Sequence, residues 1–181
     1  MSWSQKQRAE IIAETYKKWN LKDKKVLDVG CGNGVVSKVL IETLNFDLTG
    51  TDILDYRKEN IPFKKMETKN KLPFDDNSFQ FVMLNDILHH AEDIEKLIIE
   101  SSRLAPNLLI FEDKESILLK ILDVGLNYLY CNKMPVPFNF KTEEEWCLLF
   151  KKLGFNYEKA EISYPFWYPL RHMSFKLCKK N

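Results

Sequence analysis

Three glycines at alternate positions follow a short apolar segment near the start of the chain, and they constrain the fold more than any other feature. The segment Lys25–Val29 runs directly into the turn Gly30–Gly34, after which apolar residues recur at helical spacing. Glycines allow positive φ angles and let the backbone approach a ligand, because they carry no Cβ. A helix that starts here would offer unpaired N–H groups to a carboxylate or phosphate. The pattern predicts a strand, a tight turn and a helix, with a small-molecule site at the turn.

Two further positions bear on what this turn could bind. A dinucleotide-binding turn, G-x-G-x-x-G, needs a glycine where this chain has Val35, which disfavours a nicotinamide-dependent oxidoreductase. Asp52 ends the second apolar segment, 20 residues after Gly32, and a carboxylate there can accept hydrogen bonds from both hydroxyls of a ribose. Two alternatives stay open: the turn could form without a ligand, and Asp52 could cap the next turn.

Apolar periodicity predicts strands that alternate with helices along the chain. Helical spacing covers residues 4–19, 34–44, 92–104, 114–130 and 142–153, and short apolar runs cover residues 25–29, 46–52, 63–66, 79–84, 108–111, 157–162 and 174–178. This alternation is typical of βαβ units around a mainly parallel sheet, whose ligands bind beyond the carboxyl ends of the strands.

The composition narrows the class of protein. The 181 residues suit one domain, and 27 basic against 26 acidic residues give a net charge of +1, which does not favour a nucleic-acid partner. The 4 cysteines lie far apart, which predicts neither a zinc site nor a disulfide framework. The polar start of the chain predicts no secretory signal, and no apolar run approaches the ~20 residues of a membrane span. We therefore expect a cytoplasmic protein.

Three motifs together resemble the class I S-adenosylmethionine-dependent methyltransferases, in particular their small stand-alone members. The motifs are Asp28–Gly34, Leu72–Phe79 before the fourth strand, and Leu88–His90 after it. The resemblance covers residues 24–111 and implies a Rossmann-like three-layer α/β/α sandwich, with a mainly parallel seven-stranded sheet and an antiparallel strand near the C-terminus. It also implies an enzyme that uses S-adenosyl-L-methionine. It says little about the acceptor, because this fold serves many unrelated acceptors.

The resemblance implies roles for individual residues in cofactor binding. Asp28 would lie at the methionine amine, Asp52 would hold the ribose diol, and Asn85 would lie beside the methionine portion and the transferred methyl. Thr68 stands near the adenine edge, where the family often has an aspartate. The other implied contacts, from backbone groups and one apolar side chain, come from Gly30, Cys31, Gly32 and Ile53.

Aromatic segments predict the wall of an acceptor pocket. They are the N-terminal helix with Tyr16, the segment 134–140 with Phe138 and Phe140, and the segment 164–169 with Trp167. Rings held by neighbouring prolines form rigid apolar surfaces, which favour a small apolar or aromatic acceptor; ordinary packing is the alternative for any single ring. We expect the apolar helix at 114–130 to be a buried helix or lid, with a homodimer face or a membrane-surface contact as alternatives.

Asp86, His89 and His90 follow the fourth predicted strand directly. If Asp86 opens a helical turn, residues three and four positions later share its face, so one carboxylate and two imidazoles would point together beside the transferred methyl. A histidine there could take a proton from a hydroxyl or amine acceptor. The trio could instead ligate a divalent metal, or cap and pack the turn; we predict no metal, since this spacing is not typical of a metal site.

These predictions describe a single methyltransferase domain over residues 1–181 with four parts. They are an N-terminal helical lid (1–23), a cofactor-binding core (24–112), an inserted helix and loop that cap the acceptor side (113–141), and a C-terminal helix with two strands (142–181). The first functional hypothesis is in-line methyl transfer to a small-molecule acceptor. The second is a cofactor-binding subunit of a heteromeric methyltransferase, which is either non-catalytic or dependent on its partner.

Overall fold

The computed structural model of the chain describes residues 3–68, 71–114 and 140–180. Within these ranges it contains four α-helices, seven strands and a short 3-10 helix at Leu88–His90. The helices are α1 (Trp3–Lys17), α2 (Val35–Leu44), α3 (Ile94–Leu104) and α4 (Glu143–Lys152). The strands are β1 (Lys25–Val29), β2 (Asp47–Asp52), β3 (Phe63–Lys65), β4 (Phe81–Asn85), β5 (Asn107–Asp113), β6 (Phe155–Lys159) and β7 (His172–Lys179).

The strands form one sheet in the order β3-β2-β1-β4-β5-β7-β6. Parallel pairing joins β1 to β2 and β4, β2 to β3, and β4 to β5. β7 runs antiparallel to both β5 and β6. This arrangement confirms the predicted fold class. The strand order reverses between β1 and β4, so the carboxyl ends of these two strands border the crevice in which α/β sheets bind ligands.

The last three strands begin earlier than the apolar pattern predicts, at Asn107, Phe155 and His172. The reason lies in the pairing with β7, which extends through polar residues: Asn107 lies opposite Cys178, and His172 lies opposite Asp113. An edge strand such as β6 also needs few apolar side chains, since neighbours cover only part of it. Apolar runs therefore locate these three strands but place the start of each one or two residues too late.

Helices cover both faces of the sheet and create two cores. Side chains alternate along β4, so that Val82 and Leu84 face one core and Met83 faces the other. The first core includes buried residues of α3 and α4, among them Leu97, Ile98, Trp146 and Phe150. The second core includes buried residues of α1 and α2, among them Ile12, Tyr16, Val39 and Leu40. The result is the three-layer sandwich.

Part of the predicted acceptor side lies outside the described residues. The structure does not describe residues 115–139. Phe138, most of the inserted part 113–141 and the helix expected at 114–130 fall in this range. The homodimer or membrane-surface contacts expected of that helix fall there too. Among the helices that the structure describes, none is long and apolar enough to cross a membrane.

Arg103 of α3 holds the segment that leads into β4. Its guanidinium donates to the carbonyl oxygens of Phe74 (2.9 Å) and Leu72 (3.2 Å). It also pairs with the carboxylates of Asp76 (2.7 Å) and Glu100 (2.6 Å). Glu100 accepts in turn from the backbone N–H of Leu72 (2.9 Å), so one ion pair on α3 satisfies several backbone groups of an irregular segment.

Replacement of Arg103 by methionine should lower the free energy of unfolding by about 1–3 kcal/mol, because two backbone carbonyls and two carboxylates lose their donor. Urea denaturation measures this change. Lys152→Met is the matched control: Lys152 pairs with Glu95 at an exposed surface (2.6 Å), and such pairs contribute roughly 0–1 kcal/mol. Equal losses in the two variants would contradict the assigned role of Arg103.

Candidate functional site

The glycine turn is joined directly to the end of β2. The backbone N–H groups of Gly30 and Cys31 both donate to the carbonyl oxygen of Thr51, at 2.8 and 3.2 Å. Gly30 has a φ of +73°, and a Cβ at this position would lie 2.7 Å from side-chain atoms of Ile87. Gly32 also has a positive φ, of +53°, but the nearest atom to its would-be Cβ is a backbone oxygen 4.0 Å away. The first glycine is therefore needed for packing, whereas the second borders open space.

Asp52 connects the end of β2 to the same turn. Its Oδ2 accepts from the backbone N–H of Gly32 (3.0 Å), and its Oδ1 accepts from the N–H of Ile53 (2.7 Å). Each carboxylate oxygen has capacity for another hydrogen bond. Asp55, the next acid along the chain, pairs with Arg57 (2.8 Å). Asp52 is thus held in one orientation by two backbone groups and can still accept from a ligand.

Asp28 is the buried acid of the site. It is 2% exposed in β1, and its Oδ2 accepts from the Ser37 hydroxyl at 2.5 Å. Burial raises the pKa of Asp28 to about 7, and the nearby Asp52 charge acts in the same direction; the hydrogen bond from Ser37 and the nearby Asn85 amide oppose the shift. The carboxylate is therefore poised to ionise fully when a cation binds beside it.

Asn85 lies at the carboxyl end of β4 and faces α1. Its Oδ1 accepts from the Tyr16 hydroxyl at 2.5 Å, while its Nδ2 is buried and has no hydrogen-bond partner among the described residues. An unmatched buried donor is costly unless something binds it. Tyr16, predicted in the acceptor wall, is fully buried at this position.

Asp86, His89 and His90 do not form the single cluster that the spacing predicts. Asp86 has a φ of +52°, and the 3-10 helix begins after it, at Leu88, so Asp86 does not open the helical turn. Its carboxylate pairs with the guanidinium of Arg8 on α1. The left-handed backbone at Asp86 turns this side chain away from the face that a continuous helix would give it.

His89 instead pairs with Glu112 of β5, a residue that the sequence analysis missed. His89 Nδ1 lies 2.6 Å from Glu112 Oε2, and both residues are buried. The other oxygen, Oε1, accepts from the backbone N–H groups of Ile87 (3.0 Å) and Leu88 (2.8 Å). The only sequence signal is an acidic residue that continues an apolar strand, where buried acids are rare without a partner.

Two rings flank the His89 imidazole. Phe140 stacks on it with a centroid distance of 5.0 Å and an interplanar angle of 14°, so one predicted pocket residue lies at this pair. The His90 ring lies 3.9 Å from it, centroid to centroid. Desolvation of this ring lowers the pKa of His90 to about 4, and the Arg8 charge acts in the same direction, so the ring is neutral at pH 7.

Three more of the predicted residues are Trp167, Thr68 and Ile53. Trp167 is 40% exposed and lines a groove of about 390 Å³ between α1 and the loop before β7. Thr68 is exposed beyond β3, and half-buried Ile53 packs against the first core. Ile53 directly follows Asp52 at the carboxyl end of β2.

A second polar group of side chains borders the site. Ligand atoms of Asp86, Asp113 and His172 lie within 4.8 Å of one another, a set that could hold a metal ion. His172 Nε2 lies 2.9 Å from Asp113 Oδ1. Arg8 already supplies a positive charge at Asp86, which balances one of the two carboxylates without a metal.

Comparisons with known proteins agree with one another. Residues 3–160 match the family described as a methyltransferase domain. A ubiquinone biosynthesis O-methyltransferase from Pelagibacter ubique (strain HTCC1062) is 33% identical over 96 residues, a match that covers 46% of this chain and only 38% of that protein's length.

Solved structures share the fold. The PH0226 protein from Pyrococcus horikoshii OT3 superposes with a TM-score of 0.74 at 21% identity, covering 99% of this chain and 93% of that one. A SAM-dependent methyltransferase from Aquifex aeolicus superposes with a TM-score of 0.65 at 20% identity, covering 96% and 89%.

The raised pKa of Asp28 predicts a specific pH dependence of stability. The folded chain holds a proton with a pKa of about 7, whereas an unfolded aspartate titrates near 3.8. The stabilisation is therefore present below about pH 4 and is lost as the pH rises through 7. Relative to Asp28→Asn, the free energy of unfolding of the wild type should fall by about 2–3 kcal/mol between pH 5 and 8, measured by urea denaturation.

Asp47→Asn is the control, since Asp47 is an exposed acid at the start of β2. It should follow the wild type at every pH. A pH-independent difference between the wild type and Asp28→Asn would contradict the assignment of this proton to Asp28.

Proposed function

This chain belongs to the class I S-adenosylmethionine-dependent methyltransferases, and from that premise we propose that it methylates a hydroxyl group of a small apolar or aromatic acceptor, with His89 as the base. The observation that carries the proposal is the contact of 2.6 Å between buried His89 and buried Glu112 at the carboxyl edge of the sheet. The name of the Pelagibacter relative, an O-methyltransferase, supports a hydroxyl acceptor.

The residues at the end of β2 fit the nucleoside half of S-adenosylmethionine. Asp52 would accept hydrogen bonds from the ribose hydroxyls, for which each of its oxygens keeps capacity. The open space at Gly32 leaves room for a ligand against the backbone. Ile53 would contact the adenine, with Thr68 at its edge.

The residues at the ends of β1 and β4 fit the methionine half. The Asp28 carboxylate suits an ammonium group, and the unmatched Nδ2 of Asn85 suits an acceptor oxygen. Gly30 and Cys31 would border it with backbone atoms. When bound, S-adenosylmethionine supplies an electrophilic methyl group on a sulfonium. Because an ammonium stabilises the ionised form of Asp28, cofactor binding should release a proton below pH 7.

Glu112 prepares His89 for proton transfer. Its carboxylate accepts the Nδ1–H of His89, which selects the tautomer whose Nε2 carries the lone pair. We propose that an acceptor hydroxyl loses its proton to this Nε2 as its oxygen attacks, and that Glu112 then stabilises the imidazolium. Phe140 would supply an apolar wall beside the reacting group. His90, with its pKa near 4, is too weak a base to compete at neutral pH.

The proposed cofactor site can be tested at Asp52. Asp52→Ala should weaken binding of S-adenosylhomocysteine roughly 10- to 100-fold, measured by calorimetry, because it removes charge-assisted hydrogen bonds to the ribose. Asp55→Ala alters an exposed carboxylate near the same strand and should leave the affinity unchanged. NAD should not compete. Tight NAD binding without binding of S-adenosylhomocysteine would overturn the proposal.

The proposed base can be tested at His89 and Glu112. Turnover is measured as S-adenosylhomocysteine release with a panel of small phenols. Glu112→Gln and His89→Ala should each lower kcat by roughly 100-fold or more, since a general base contributes about that factor. His90→Ala should keep kcat within a few-fold, and a chelator should have no effect.

Unchanged kcat in both Glu112→Gln and His89→Ala would remove this pair from the mechanism. A chain that binds the cofactor but methylates no phenol until a partner protein is added would instead support the second hypothesis, a partner-dependent subunit.

A further inference from the structure

The amide of Asn85 is asymmetric, so its orientation decides what the site offers. One end, Oδ1, contacts the Tyr16 hydroxyl at 2.5 Å. The other end, Nδ2, is buried and lies close enough to Asp28 to lower the pKa of that carboxyl. A rotation of the amide by half a turn would exchange a donor for an acceptor at this position.

Both neighbours of the amide select the same orientation. Burial, with the charges of Asp28 and Glu112, raises the pKa of Tyr16 well above its usual value, so the hydroxyl stays protonated and can donate. The Oδ1 atom is the acceptor for that hydrogen. The reversed amide would point its oxygen at the Asp28 carboxylate, which repels it once ionised, and it would leave the hydrogen of the Tyr16 hydroxyl without its acceptor.

Tyr16 is itself fixed by the packing of α1. Its ring is fully buried in the second core and lies 5.9 Å from the Trp19 ring. The same helix also carries Arg8, whose guanidinium pairs with Asp86, the residue after Asn85. The helix thus contacts two consecutive residues at the exit of β4, one through an ion pair and one through a hydroxyl.

We propose that Tyr16 is a positioning residue of the cofactor site, whose hydroxyl orients the Asn85 amide so that Nδ2 faces the methionine end of the cofactor beside Asp28. This inference rests on the cofactor placement in the proposed function. It gives α1 a role in cofactor affinity, in addition to covering one face of the sheet. The hydroxyl acts through Asn85, so its effect must vanish when the Asn85 amide is absent.

A double-mutant cycle tests this coupling by calorimetry with S-adenosylhomocysteine. Tyr16→Phe keeps the ring and removes the hydroxyl, and it should weaken binding about 10-fold. Asn85→Ala should weaken it at least as much. In the Asn85→Ala background, Tyr16→Phe should have no further effect beyond twofold, because the group that it orients is gone. Thermal denaturation of each variant checks that it is folded.

Tyr157→Phe is the matched control. It removes a tyrosine hydroxyl from β6, at the far edge of the sheet, and should leave the affinity unchanged. Wild-type affinity in a folded Tyr16→Phe variant would overturn the inference, and so would an equal loss on both Asn85 backgrounds. A wild-type chain that fails to bind S-adenosylhomocysteine would overturn the proposed function itself, which separates the two failures.

Discussion

The site depends on the way in which the chain leaves β1. Two consecutive N–H groups, of Gly30 and Cys31, converge on the carbonyl of Thr51, and this requires a backbone with positive φ directly after the strand. The same turn lets the Gly32 N–H reach the Asp52 carboxylate. One local geometry therefore sets the position of the turn, the orientation of Asp52 and the start of α2.

A second buried acid organises the other half of the edge. Glu112 accepts from two backbone N–H groups after β4 and from His89, so the exit of β4 is shaped by a side chain of β5. Buried carboxylates are costly unless they are hydrogen-bonded, and here all three donors come from one short segment. Glu112 therefore has two roles: it holds the backbone of this segment in place, and it orients His89, the proposed base.

Sequence patterns predicted the start and end of β1 and the link between the glycine turn and β2. The apolar run Lys25–Val29 matches β1 to the residue, and the spacing of Gly32 and Asp52 corresponds to a direct hydrogen bond. The trio after β4 failed as a cluster because a left-handed residue, Asp86, breaks the helical phase on which the argument relied. Glu112 and Arg8 were missed because each meets its partner across a large sequence separation. No periodicity encodes such pairs. The first follows from the strand order, which places β4 beside β5, and the second from the packing of α1 on the sheet.

In the proposed site, the glycine turn, Asp52, Asp28 and Asn85 together would hold one S-adenosylmethionine molecule across the ends of β1, β2 and β4. A crystal structure of the chain with S-adenosylhomocysteine tests it most directly. We expect the ribose hydroxyls within hydrogen-bond distance of Asp52, and the methionine end within reach of Asp28 and the Asn85 Nδ2. Density for the ligand elsewhere on the chain, or a ribose that does not contact Asp52, would contradict the account.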